Sequence, residues 1–218
     1  MKIVAISDIH GKWNKIESIP ECDVLVSAGD YSFKGERHMV KDFHKWMNKQ
    51  PAQYRISVQG NHELWVEKNF NEAKELAESV CPGIYFMDEG PVDIAGLKFW
   101  TSAITPWFYN WAWNKERGED IKRHWDLIAE DTNILITHGP PAGILDTVYQ
   151  VDGITPRERV GCQDLYNKVM SLNNLKHHIF GHIHCSYGHK ELNNKHFWNV
   201  AMCDDMYYLN NPVTIIDL

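Results

Sequence analysis

Ile3-Val4-Ala5-Ile6-Ser7-Asp8-Ile9-His10 is an unbroken run of four apolar residues that leads into an acid and a histidine. A short apolar run closed by polar residues reads as a buried strand. The same arrangement recurs along the chain. Val24-Leu25-Val26 precedes Gly29-Asp30, and Tyr54, Ile56 and Val58 precede Gly60-Asn61-His62-Glu63. Ile134-Leu135-Ile136 precedes Thr137-His138-Gly139, and Ile179-Phe180 precedes Gly181-His182-Ile183-His184. Open α/β sheets place their ligands in the loops just past the strand ends. Asp, His and Asn gathered there form a metal site, with enough donors for two ions. Borderline transition metals accept imidazole beside oxygen, so the mixed set suits manganese, iron, zinc, cobalt or nickel better than calcium. Asp8 and His10 are two apart at a strand end and leave it on the same side. His182 and His184 repeat that geometry from another strand.

Length and composition frame the reading. A chain of 218 residues is expected to form one domain over residues 1–218 with a substantial core. A net charge of −7 argues against a broad basic face for duplex nucleic acid. A small phosphate ester stays open as substrate, because bound cations supply a local positive field. Cysteines fall at 22, 81, 162, 185 and 203, an odd number with no Cys-x-x-Cys pair. That pattern fits a reducing cytoplasm rather than a disulfide framework or structural zinc. The first residues run straight into a strand rather than a secretory signal, and no apolar run is long enough to span a bilayer.

Alternation of strand, connection, strand, helix and strand fills the first sixty residues. Glu36 to Lys49 reads as a helix with Val40, Phe43, Trp46 and Met47 roughly on one face, ended by Pro51. Asn71 to Val80 reads as a second, capped by Asn69 or Asn71 and stopped before Pro82. Val92 to Trp100 looks like a hairpin, residues 106–118 a Trp-rich loop, and Ile121 to Ile128 a helix. Cys162 to Leu172 is another helix and His177 to Phe180 another strand. A hairpin across Asn193-Asn194, the Phe197–Met202 segment and Val213–Asp217 close the chain. Parallel units followed by hairpins imply two mixed sheets packed together with helices outside.

The five motifs, D-x-H, G-D, G-N-H-[DE], a lone His and G-H-x-H, occur in order from residue 8 to 184 and resemble those of the calcineurin-like metallophosphoesterase superfamily. The similarity narrows at Pro106 to Asn114, Arg117-Gly118, Trp125-Asp126, Thr137 to Pro141, Val160-Gly161-Cys162 and Tyr187-Gly188, which look like the MPPED-like class III phosphodiesterase subfamily. This resemblance implies a four-layer αββα sandwich with a Trp-rich insert at about residues 104–130. It also implies two divalent metals, manganese foremost. Asp8, His10, Asp30 and His184 would hold the first. Asp30, Asn61, His138 and His182 would hold the second, with Asp30 bridging. His62 would face the substrate as leaving-group acid, oriented by Glu63. The activity implied is hydrolysis of small phosphodiesters, cyclic nucleotides included and 2′,3′ rings favoured. Two metals roughly 3.5–4 Å apart clamp a phosphate and turn a bridging water into the attacking hydroxide.

Several residues have a plainer reading. His38, His44, His124, His177, His178, His189 and His196 match no motif and are expected at the surface or in loops. Cys185 reads as a half-buried inert thiol. The Trp107–Trp113 cluster is either a satellite core under a long loop or a rim that stacks a nucleobase through Trp107, Trp111 or Trp113. Protein phosphatases of the superfamily carry two phosphate-gripping arginines where this chain has Lys34 and Gln59, so a planar fork is lost at both. Phosphomonoesterase, short single-strand nuclease and a non-catalytic scaffold on the same fold are the alternatives. Oligomeric state is not legible.

Overall fold

The computed structural model describes residues 1–149 and 155–218. β1 (Lys2–Ile6) shows why the opening run is apolar at every position. Ile3 and Ala5 join one core, Val4 and Ile6 another, and all four are fully buried. After it come β2 (Cys22–Ala28), α1 (Arg37–Asn48), β3 (Ala52–Val58), α2 (Leu64–Lys68), α3 (Phe70–Val80) and β4 (Tyr85–Met87). The hairpin β5 (Glu89–Ile94) and β6 (Leu97–Ser102) follows, then β7 (Thr105–Pro106), β8 (Asn114–Lys115), α4 (Glu119–Asp126) and β9 (Ile134–Thr137). The chain continues through β10 (Thr147–Tyr149), β11 (Pro156–Arg159), α5 (Gln163–Ser171), β12 (His177–Phe180), β13 (Gly188–Leu192), β14 (Lys195–Asn199) and β15 (Thr214–Asp217).

Two mixed sheets carry the fold. One has the order β15-β1-β2-β3-β4, parallel from β1 to β4 with β15 antiparallel at its edge. The other has the order β13-β14-β12-β9-β6-β5, parallel from β14 to β6 with an antiparallel strand at each edge. Val40, Phe43 and Met47 of α1 and Ala73 and Ala77 of α3 cover the Val4, Ile6 and Leu25 side of the first sheet. Its other side packs with Val92, Ile136 and Phe197 of the second sheet, in a core that extends to Ile121 and Trp125 of α4 and Leu165 and Val169 of α5. Helices, sheet, sheet and helices therefore form four layers.

Most boundaries agree with the sequence pattern to within two residues. Both hairpin turns have a physical signature: Ala95-Gly96 and Asn193-Asn194 all take positive φ, as a two-residue primed turn requires. Asn69 does precede α3, but its side chain does not cap it; the amide donates back to the Trp65 carbonyl at 2.8 Å. His44 and His178 are fully buried rather than superficial. His44 satisfies both ring nitrogens inside, on the Val40 carbonyl and Ser57 Oγ, whereas His178 bonds Thr137 Oγ1 through Nε2 and leaves Nδ1 without a partner among the described residues. All five cysteines are free thiols, four of them buried and Cys185 half-buried. No helix among the described residues is long and apolar enough to cross a membrane.

Candidate metal centre

Every motif residue lies just past the C-terminal end of a parallel strand: Asp8 and His10 after β1, Asp30 after β2, Asn61, His62 and Glu63 after β3, His138 after β9, and His182 and His184 after β12. The two sheets meet there, with the Met202 amide donating to the Ser7 carbonyl at 2.9 Å. The chain must leave each strand sharply to turn a side chain inward. Asp8, His10, Asp30 and His182 all adopt left-handed φ values, between 45° and 69°. Such strain costs about 1–3 kcal/mol per residue, and Asp and His tolerate it better than most side chains. Gly60 and Gly181 leave no room for a β-carbon. One would strike the Asp30 carboxylate and the other the Asp8 carboxylate.

The donors converge as two abutting sets. Asp8, His10 and His184 form one and Asp30, His138 and His182 the other, each with its ligand atoms within 4.8 Å of one another. His10, Asp30 and His62 form a third group between them. His184 Nδ1 donates to the Asp204 carbonyl at 3.0 Å. That turns Nε2 toward Asp8 Oδ1 at 3.3 Å and His10 Nε2 at 3.2 Å. His138 Nδ1 donates to the Ala28 carbonyl at 2.8 Å, leaving Nε2 facing Asn61 Oδ1 at 2.9 Å and Asp30 Oδ2 at 3.3 Å. With its outer nitrogen bound to a carbonyl, each imidazole turns Nε2 to the centre, the orientation of a metal-ligating histidine once that nitrogen gives up its proton. Asp8 Oδ1 and His10 Nδ1 are buried without a hydrogen-bond partner among the described residues.

Electrostatics point the same way. Burial alone would lower the His184 pKa, but the facing Asp8 carboxylate outweighs it and brings it up to about 9. Burial alone would raise the Asp8 carboxyl, yet His184 draws it down to about 2. At His138 burial again opposes, and Asp30 dominates to bring the imidazole to about 9. His10 and His182, which burial holds at about 4 and about 3, stay neutral. In each set an ionised carboxylate draws a proton onto one imidazole, His184 or His138, while His10 or His182 stays neutral; a cation that displaces that proton meets a donor set suited to divalent transition metals.

Around this centre the structure assigns the remaining residues. His62 Nδ1 donates to the Phe33 carbonyl at 2.9 Å, while Nε2 lies 3.9 Å from Asp30 Oδ2. Glu63 does not hold the His62 ring. Its carboxylate accepts the backbone N–H groups of Asp30, Gly60 and Ser32 and the Ser32 hydroxyl, which fixes the turns after β2 and β3 to each other. Asp30 Oδ1 accepts the His62 N–H, and Asp8 Oδ2 the His182 N–H, so both acids also brace a neighbouring loop. The tryptophans divide. Trp111 stacks on His62 with centroids 4.3 Å apart, and Trp107 is exposed. Trp113 is buried against Phe70 and belongs to the core, which corrects its place in the rim. Tyr207 was not legible as a site residue. Its ring meets His10 and His184 edge-on at 4.7 and 5.5 Å, and it reaches them only through the loop after β14.

A cleft of about 220 Å³ opens on these groups, lined by Asp30, Asn61, His62, Trp111, His182 and Tyr207 among others. Lys34 and Gln59 do not line it. Gln59 is buried, accepting from the Tyr31 hydroxyl and donating to the Ser57 carbonyl.

A family model described as calcineurin-like phosphoesterase matches residues 1–186. Human metallophosphoesterase domain-containing protein 1 is 34% identical over 236 aligned residues, covering 100% of this chain and 71% of that protein. A UPF0046 protein of Caenorhabditis elegans is 31% identical, covering 94% of the chain and 70% of its own length. Among solved structures, one described as a novel archaeal phosphodiesterase aligns with a TM-score of 0.53 at 17% identity, covering 100% of this chain and 93% of its own. A Thermus thermophilus protein aligns with a TM-score of 0.56 at 15% identity over 91% of this chain and 88% of its own, a likeness of fold.

Proposed function

The chain belongs to the calcineurin-like phosphoesterase family, and from that premise we propose that it is a binuclear metal-dependent phosphodiesterase. Its substrates are small phosphodiesters, cyclic nucleotides among them, with the strained 2′,3′ ring favoured over the 3′,5′ ring. The observation that carries this reading is the pair of abutting donor sets with Asp30 between them. Asp8, His10, Asp30 and His184 would hold one ion. Asp30, Asn61, His138 and His182 would hold the other. Manganese is the first choice for both, with iron, zinc, cobalt and nickel sharing the ligand preference. Bound divalent cations supply positive charge on the phosphoryl oxygens and bring a water toward ionisation at neutral pH.

The protein's own groups do the rest. Because the Phe33 carbonyl fixes the Nδ1–H of His62, the proton this ring can give up is carried on Nε2, the nitrogen turned toward Asp30. A histidine is suited to protonating a leaving alkoxide near neutral pH. Trp111 stacked on His62 limits the ring's rotation and lines the cleft beside it. Glu63 holds the Asp30 and Gly60 backbones and acts on the chemistry only through their positions.

Diester preference follows from what the cleft lacks. A monoester dianion carries one more charge than a diester and is commonly gripped by arginines beyond the metals. Among the described residues no arginine lines this cleft. The test compares 4-nitrophenyl phosphate with bis(4-nitrophenyl) phosphate at saturating manganese. The expected kcat/KM favours the diester by about tenfold, equivalent to ~1.4 kcal/mol of transition-state binding. A monoester preference would move the protein to the phosphomonoesterases.

A further inference from the structure

Beside the metal cleft lies a larger cavity of about 470 Å³, within the range of about 300–1,000 Å³ usual for small-ligand sites. It shares Phe108, His182, His184 and Asp205 with the cleft, so the two adjoin. Trp107, Phe108 and Tyr109 line one side and are 54%, 55% and 67% exposed, an unusual outlay of aromatic surface in water. Arg117, from the same insert, lines it as well.

Arg117, like Arg55, is held by backbone carbonyls rather than by a carboxylate. Nη1 donates to the Gly161 carbonyl at 2.8 Å and Nη2 to the Val160 carbonyl at 2.6 Å. Arg37, Arg123 and Arg157 each lie beside a carboxylate. Arg117 has no carboxylate within ion-pair distance among the described residues. The carbonyls fix its plane without cancelling its charge, and three of its five N–H donors remain. In a chain of net charge −7, a fixed and uncompensated guanidinium in a cavity wall is an anion receptor. A planar fork of this kind matches a phosphate. Of the two acids on the same wall, Glu158 lies 3.7 Å from Arg157, and Asp205 sits where the cavity adjoins the metal cleft.

We propose that this cavity receives the nucleoside arm of the substrate, with its base against Trp107, Phe108 and Tyr109 and a second phosphate on Arg117. The preferred substrate is then a nucleotide diester carrying one phosphate more than the scissile one. This rests on the phosphodiesterase reading of the cleft. It also explains why the cleft has no arginine of its own: the cationic side chain serves the group that is not cleaved.

The experiment uses thymidine 5′-(4-nitrophenyl phosphate) with and without a 3′-phosphate, at saturating manganese and low salt. Wild type is expected to favour the 3′-phosphorylated ester by about tenfold in kcat/KM, the scale of one charge-assisted hydrogen-bonded contact. In Arg117→Gln that ratio is expected to fall to near one, with thermal unfolding confirming a folded protein. If Arg117→Gln does not fold, Arg117→Met, which keeps the length of the side chain without its charge, carries the comparison. A wild-type ratio near one, or a ratio unchanged in the variant, overturns the proposal. Absence of turnover of either ester with every metal overturns the phosphodiesterase reading instead. Calorimetric binding of thymidine 3′,5′-bisphosphate against thymidine 5′-monophosphate then decides the cavity: tighter bisphosphate binding that Arg117→Gln removes supports it, and equal binding overturns it.

Discussion

At His62 a single ring carries two tasks: Nδ1 is committed to the Phe33 carbonyl, and Nε2 faces the acids of the centre. Removal of the ring should therefore matter most where the leaving group needs a proton. His62→Ala is expected to lower kcat steeply for alkyl leaving groups and about tenfold less steeply for nitrophenolate, measured across a leaving-group series. A uniform loss across the series would assign the ring to positioning alone. Gly181 tests the backbone rather than a ligand. A β-carbon there would displace the Asp8 carboxylate and Ser7. Gly181→Ala is expected to weaken metal binding by about tenfold or more, although every ligand remains, as read by metal titration. Binding equal to wild type would show that Asp8 does not depend on the close approach. The residues of the centre were legible because each follows directly on an apolar run. The burial of Trp113 and the reach of Tyr207 were not, since both depend on where a long loop comes to rest.

Among the elements, α1 is seated on the first sheet by more than its apolar stripe. His44 is fully buried and bridges the Val40 carbonyl to Ser57 Oγ of β3. Burial lowers its pKa to about 4, from an ordinary value of 6.5. The sign follows. Above pH 6.5 neither state holds the extra proton and the group is neutral toward stability. Between pH 6.5 and 4 the unfolded chain takes a proton that the folded one refuses, so stability falls as the pH falls. The contribution at pH 5 is a loss of about 2 kcal/mol. Urea unfolding of wild type and His44→Gln at pH 7.5 and pH 5 is expected to show the larger acid loss in wild type by about that amount. Equal losses would refute the assignment. The long elements were legible from apolar periodicity, and both hairpins from their turns. α2, β7, β8, β10 and β11, each of five residues or fewer, were not. Such short segments are set by tertiary pairing and carry no period to read.

For the whole molecule, the centre joins the two sheets. Asp8, His10, Asp30 and Asn61 come from strand ends of one, and His138, His182 and His184 from strand ends of the other. Sequence order revealed the alternation of strands and helices and the two-sheet plan. It did not reveal the strand order, because β15 returns across the whole chain to pair with β1. Because the proposed ligands come from both sheets, added metal is expected to stabilise the fold as a unit, by an amount that grows with free metal concentration. The proposed role of Asp30, to hold two catalytic ions together, is tested most directly by one titration. Manganese is added to chelator-stripped wild type and Asp30→Asn, reading bound equivalents and turnover of bis(4-nitrophenyl) phosphate in the same samples. Wild type is expected to be inactive when stripped and to regain turnover as it binds two equivalents per chain. Asp30→Asn is expected to fail to hold both and to lose at least about a hundredfold in kcat, the order expected when a principal electrostatic element of an active site is removed. Full activity in the stripped protein, or normal turnover with two bound ions in Asp30→Asn, would contradict the account.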